Sequence, residues 1–132
     1  MIKIAIVGSR GFSNPKLFKK ELLTFLEENN INDDYIIVSG GAKGADYLAK
    51  MFWKAFLGGN KDRYIELKPN WKKYGKKAGF LRNYDIWDNA DLGIAFWDGS
   101  SKGTEHSFKI SKQQNKVLKV IDYVKGESYY VG

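Results

Sequence analysis

The chain contains no cysteine in its 132 residues. Disulfides, thiolate metal sites and cysteine nucleophiles are therefore excluded. A single histidine, His106, leaves no histidine cluster from which a metal site can be built. No apolar run approaches the ~20 residues that span a bilayer, so no membrane partner is expected. Repeats, low-complexity segments and linkers are absent as well. The opening Met1-Ile2-Lys3-Ile4-Ala5-Ile6-Val7-Gly8 has neither a basic leader nor a cleavage site. It reads as a short strand and not as a secretory signal. The expected location is the cytoplasm, or the host cytoplasm if a phage encodes the chain.

What is present is an ordinary globular composition, 43% apolar and 28% charged. That balance excludes a disordered chain. One domain is expected over residues 1–132, with a peripheral tail at 122–132. Twenty-two basic against fifteen acidic residues give a net charge of +7. Such a field favours anionic partners without choosing among them. Nineteen of the basic residues are Lys, which serve solubility as readily as recognition. Arg10, Arg63 and Arg82 carry more information, because a planar guanidinium suits phosphate.

Apolar β-branched runs at Ile2–Val7, Tyr35–Ser39, Tyr64–Leu67, Leu92–Trp97 and Val117–Ile121 read as strands. Helical spacing predicts helices over 15–29, from Gly44 to Gly58, and over about 76–89 and 104–115. Asn14-Pro15 is a helix start. The last eleven residues fit either a small hairpin or a tail. Buried strands alternating with helices predict an α/β, Rossmann-like three-layer sandwich around a mainly parallel sheet of about five strands.

Three strands end in glycine-rich turns: Gly8-Ser9-Arg10-Gly11-Phe12, Gly40-Gly41-Ala42-Lys43-Gly44-Ala45-Asp46, and Asp98-Gly99-Ser100-Ser101-Lys102-Gly103-Thr104. In a parallel sheet these turns share the carboxyl edge, where α/β proteins bind ligands. Free backbone N–H groups and helix N-termini there suit an anion. The pattern is neither GxGxxG nor a P-loop. Arg10 and Arg82 are candidate phosphate clamps. Asp46 fits either a carboxylate at a helix N-terminus or an acceptor for a ribose hydroxyl. Ser101 and Thr104 fit helix caps that also hold phosphate. Glu105 and His106 read first as helix-surface residues and second as acid–base groups. Lys68, Lys72, Lys73, Lys76 and Lys77, interleaved with Trp71 and Tyr74, form the one patch suited to nucleic acid.

Those turns, together with Ala78-Gly79-x-x-Arg82-Asn83 and Asp91-x-x-Ile94-Ala95-Phe96, resemble the YspA-like branch of the SLOG superfamily. That superfamily includes the Lonely Guy phosphoribohydrolases and DNA-processing protein A. The resemblance covers about residues 2–121. It implies a nucleotide pocket lined by Gly8, Ser9, Arg10, the 40–46 turn, Arg82, Asn83 and the 98–104 turn, with Phe12 adjoining. It also implies either ligand sensing or hydrolysis of an N-glycosidic bond. The catalytic Glu of the Lonely Guy enzymes has no counterpart at the same spacing, since Glu105 stands one position early.

The leading expectation is a binding protein for a phosphorylated small molecule. An ADP-ribose derivative or a cyclic nucleotide is an example, which the protein would bind as a sensor or sequestering protein, with phage–host conflict as one setting. A nucleoside monophosphate N-glycosidase is the alternative, with Arg82, Glu105 and Asp98 as its catalytic residues. Binding of single-stranded nucleic acid is the second alternative. No cofactor is expected, and a homo-oligomer is.

Overall fold

The computed structural model describes residues 1–131. Six strands form one sheet: β1 (Ile2–Gly8), β2 (Tyr35–Ser39), β3 (Tyr64–Glu66), β4 (Leu92–Trp97), β5 (Val117–Asp122) and β6 (Glu127–Val131). Their order is β3-β2-β1-β4-β5-β6. The first five run parallel, and β6 pairs antiparallel with β5. The helices are α1 (Pro15–Glu28), α2 (Ala45–Phe56), α3 (Trp71–Tyr74), α4 (Ala78–Asp88) and α5 (Lys102–Gln113). The expected three-layer α/β sandwich is therefore what forms.

Alternation of side-chain size builds the two core layers. In β1 and β4 the large residues Ile4, Ile6, Ile94 and Phe96 face α1 and α2. There they meet Phe18, Leu22 and Phe25 of α1 and Phe52 of α2. The small residues Ala5 and Ala95 face α4 and α5, where Trp87, Ile86 and Ile110 pack. Trp87 needs that room: a Cβ on Gly93 would lie 2.6 Å from its ring. A stack of Phe12, Phe96 and Phe18, with ring centroids 4.8 and 5.0 Å apart, joins the first loop to the centre of the sheet.

Local chemistry sets the helix ends. The Asn14 side chain accepts from the Leu17 N–H at 3.1 Å, and Pro15 follows in the first turn. Asn30, at φ +56°, ends the same helix in the left-handed conformation that Asn tolerates.

Two expectations change in detail. The basic stretch before the third long helix is itself wound, as α3 and a 3₁₀ turn over Gly75–Lys77. The C-terminal segment is a hairpin strand, giving six strands where about five were expected. Lys119, only 4% exposed, pairs with Glu28 at 2.6 Å, and the Tyr130 hydroxyl donates to the same carboxylate at 2.8 Å. These bonds fasten β6 across β5 to the end of α1. Residue 132 lies outside the described residues. Among those described, no helix is long and apolar enough to cross a membrane.

Phe96 is fully buried in the aromatic stack. Phe96→Ala is expected to lower unfolding stability by about 3–5 kcal/mol in denaturant titration.

Candidate functional site

The strand order reverses between β1 and β4, which are neighbours although four helices and two strands separate them in sequence. At such a switch point the two following loops diverge and leave a crevice. Here the gap is tightly tied at its floor. The Ser9 N–H donates to the Phe96 carbonyl at 2.8 Å, and the Asp98 N–H donates to Ser9 Oγ at 3.0 Å. A Cβ on Gly8 would stand 2.4 Å from the Phe96 oxygen and 2.6 Å from the Ala45 side chain. Only glycine permits this approach.

Above that floor lies a cavity of about 480 Å³. Gly8, Arg10 and Gly11 come to it from the first turn, Ala42 and Asp46 from the second, and Asp98, Ser101, Gly103 and Thr104 from the third. Arg82, Asn83, Gly79 and Phe80 close it from α4, with Trp71 and Lys76 at the rim. A second cavity of about 880 Å³ adjoins it, sharing Arg10, Ala42, Trp71 and Arg82. Gly40, Gly41, Lys43, Gly44, Tyr47, Lys68 and Pro69 complete the second one.

The crevice presents basic side chains and free backbone N–H groups. Ser101 precedes α5 without a side-chain cap, so the first N–H groups of that helix are left for another acceptor. The Arg82 guanidinium donates to the Gly40 carbonyl at 2.9 Å and to Asn83 Oδ1 at 3.3 Å. Its burial makes the positive charge harder to hold and lowers its pKa, while Asp46 works in the opposite direction. Arg10 is exposed at the edge of the cavity. Asn83 turns its amide nitrogen to the Gly103 carbonyl and to His106 Nδ1, both near 3.2–3.3 Å. The ring nitrogen must accept there, which puts the imidazole proton on Nε2. Burial holds the His106 pKa below its ordinary value, and Lys109 adds to that.

Two carboxylates enter this basic crevice with different characters. Asp98 Oδ1 accepts from the N–H groups of Ser100 and Ser101 at 2.9 and 2.7 Å. Those bonds hold its pKa below the usual range. Asp46 is 6% exposed and accepts one backbone bond, from Ala42 at 3.1 Å. Burial pushes its pKa up to about 6, against the pull of the Ala42 N–H and Arg82.

No protein-family model matches the chain. The Gene 61 protein of Mycobacterium phage D29 is 30% identical, over 93% of this chain and 97% of its own length. The chain belongs to the Gene 61 protein family. DNA processing protein A from Helicobacter pylori, studied for a unique single-stranded DNA binding mode, superposes with a TM-score of 0.64 at 22% identity. The match covers 90% of this chain and 64% of that one, so the chain spans less than two-thirds of the neighbour. At this identity the likeness is one of fold. The expected relation to DNA-processing protein A holds at that level.

In this Gene 61 family chain, most of the sequence-derived candidates meet around the two cavities, and several do not. Phe12 is 2% exposed and stacked on Phe96 and Tyr123, so it belongs to the core and not to the crevice. Ser9 is buried in the floor and acts through the Asp98 backbone. Gly99, Ser100 and Lys102 are exposed and line neither cavity. Glu105 is exposed as well, because Thr104 and Ser107 take the inward face of α5 and helical periodicity turns the residue between them outward. Of the basic patch, Lys68 and Lys76 reach the cavities, whereas Lys72, Lys73 and Lys77 do not. Phe80 was not singled out by the sequence. Its 53% exposure beside the Asn83–His106 pair is visible only once α4 is placed. Among the described residues there is no cluster of three or more His, Asp and Glu fit for a metal.

The folded protein holds the Asp46 proton more tightly than the unfolded chain, whose Asp titrates near 3.8. Ionised Asp46 therefore costs stability above pH 6, and the cost fades as pH falls from 6 toward 4. Asp46→Asn is expected to be more stable than the parent at pH 7.5, by about 2–3 kcal/mol. Urea titrations at pH 7.5 and 4.5 should show that advantage shrinking at the lower pH.

Proposed function

We propose that the crevice between β1 and β4 binds a phosphorylated nucleotide-type small molecule, and that the protein captures it without turning it over. The observation that carries this reading is the convergence of Arg10, Arg82 and the uncapped N-terminus of α5 on one cavity of about 480 Å³. That size suits a small organic ligand. The phosphate would lie against the two arginines and the first turn of α5, where charge-assisted bonds are strongest. The half-exposed ring of Trp71 at the rim offers a stacking surface for a base. Capture without hydrolysis is favoured because Glu105, one of the two expected acid–base carboxylates, does not line the cavity, and the other, Asp98, is held by the Ser100 and Ser101 N–H groups. A YspA-like, sensing or sequestering role is consistent with these features, as is assembly into a homo-oligomer.

A second reading is binding of single-stranded DNA. It is favoured by the fold neighbour's DNA binding and by the two adjoining cavities, which Lys43, Lys68 and Lys76 flank.

One comparison tests both. Thermal shifts should be measured with nucleoside mono- and diphosphates, cyclic nucleotides, ADP-ribose and a short oligothymidylate. A specific small ligand at ~100 Kd adds about 2.7 kcal/mol of stability. Arg10→Ala should weaken its binding by about 1.5–3 kcal/mol while leaving the unliganded melting temperature unchanged, since Arg10 is exposed and joins no ion pair among the described residues. A response to the oligonucleotide alone, steeply salt-dependent, would establish the second reading instead. Silence across the whole panel refutes both.

A further inference from the structure

Within the anion site, one acidic side chain stands where the ligand's charge should go. Arg82 Nη1 and Asp46 Oδ2 flank the same α-carbon: a Cβ on Gly40 would lie 2.1 Å from the first and 3.0 Å from the second. Both groups line the cavity that Arg10 also borders. Asp46 makes no ion pair within 4.0 Å among the described residues, and its one backbone bond leaves oxygen lone pairs unused. An oxyanion drawn onto the Arg82 guanidinium therefore arrives beside a buried carboxylate. Two acidic groups sharing such a site cannot both be ionised cheaply, and a proton held between them relieves the repulsion.

We propose that Asp46 makes the crevice accept its oxyanion together with one proton, and so favours a phosphate able to carry that proton over an anion that carries none. This rests on the reading of the crevice as an anion site and narrows it. A phosphate monoester, whose second ionisation falls near pH 6, can supply or take up the proton. An internal phosphodiester or a sulfate cannot.

The surroundings agree. Facing Asp46 are Arg82 from α4, Ser39 from β2, and Tyr64 and Glu66 from β3, while Arg10, from the loop after β1, lines the same cavity and acts on Arg82. Glu66 is itself held by Lys50, 3.5 Å away on Asp46's own helix, and by Lys68 at 3.4 Å. Arg82 and the Ala42 N–H favour the carboxylate, and burial and Glu66 oppose it. The balance brings its titration to about pH 6, within reach of neutral solution.

Inorganic phosphate and sulfate separate the cases, because hydrogenphosphate keeps a proton at neutral pH and sulfate does not. Binding of each to the full chain is measured by calorimetry from pH 5 to 8, with Asp46→Asn and His106→Gln alongside. The parent should bind phosphate at least about tenfold tighter than sulfate at pH 7.5. Its sulfate affinity should rise about tenfold per unit as the pH falls toward 6, then level. In Asp46→Asn the phosphate preference and the pH slope should both vanish, while sulfate binds well at pH 7.5. His106→Gln, which keeps an acceptor for Asn83, should retain both. Equal binding of the two anions by the parent, a preference that survives Asp46→Asn, or a slope that disappears with His106→Gln would each overturn the proposal while leaving the anion site intact. If neither anion binds anywhere in the range, the anion site and this proposal fall together, and phosphate binding without any sulfate binding down to pH 5 overturns the proposal alone.

Discussion

The close contact of Gly8 with the end of β4 is the constraint on which the rest of the crevice depends. Ser9 bonds to β4 twice, once through its backbone and once through its hydroxyl. The glycine before it leaves no space between strand and helix. With β1 and β4 locked at their carboxyl ends, the chains that leave them must go to opposite faces. The loop after β1 turns toward α1 and α2, and the loop after β4 turns toward α5. The opening between them follows from connectivity, before any side chain is chosen. Gly44, at φ +76°, extends the same device: a Cβ there would strike the Ser9 carbonyl oxygen at 2.2 Å, so the second turn can settle onto the first.

Charge is then distributed on this scaffold unevenly. The net +7 is mostly lysine on exposed faces. The informative charges are few and come from different elements. Arg82 is immobilised by the Gly40 carbonyl and the Asn83 amide, and Arg10 is exposed. One cation is thus held within the crevice and the other lies exposed at its edge. Asn83 also links the fixed arginine to the start of α5 through Gly103 and His106. A displacement of Arg82 would thus be felt at the helix N-terminus, the second donor group of the site.

Much of this was legible in the residues. The strands were, because buried parallel strands write themselves as apolar runs. The three turns were, because glycines after such runs have few other uses. Legible too was the convergence of Arg10, Asp46 and Thr104, since parallel strands put their ends on one edge, whereas Arg82, on α4, was expected there through the family resemblance. The misplaced residues share a physical reason. Phe12 and Glu105 sit next to site residues in sequence, yet adjacency does not say which way a side chain points. The helix period turned Glu105 outward, and the aromatic stack pulled Phe12 inward. The role of β6 was hidden because its anchor, the Glu28–Lys119–Tyr130 cluster, joins positions about a hundred residues apart. The raised Asp46 pKa was hidden too, since burial under Gly40 and Arg82 is a tertiary fact.

Trp71 carries one more consequence. The chain has four tryptophans, and the other three are engaged elsewhere. Trp87 is fully buried against Gly93, Trp53 stacks on Tyr64 and bonds to the Asn60 carbonyl, and the Trp97 indole donates to the Ser101 carbonyl. Trp71 alone among them borders both cavities, with half its surface in water. The molecule thus carries an intrinsic optical reporter at the mouth of its crevice, and the emission of that one indole registers when the mouth is filled.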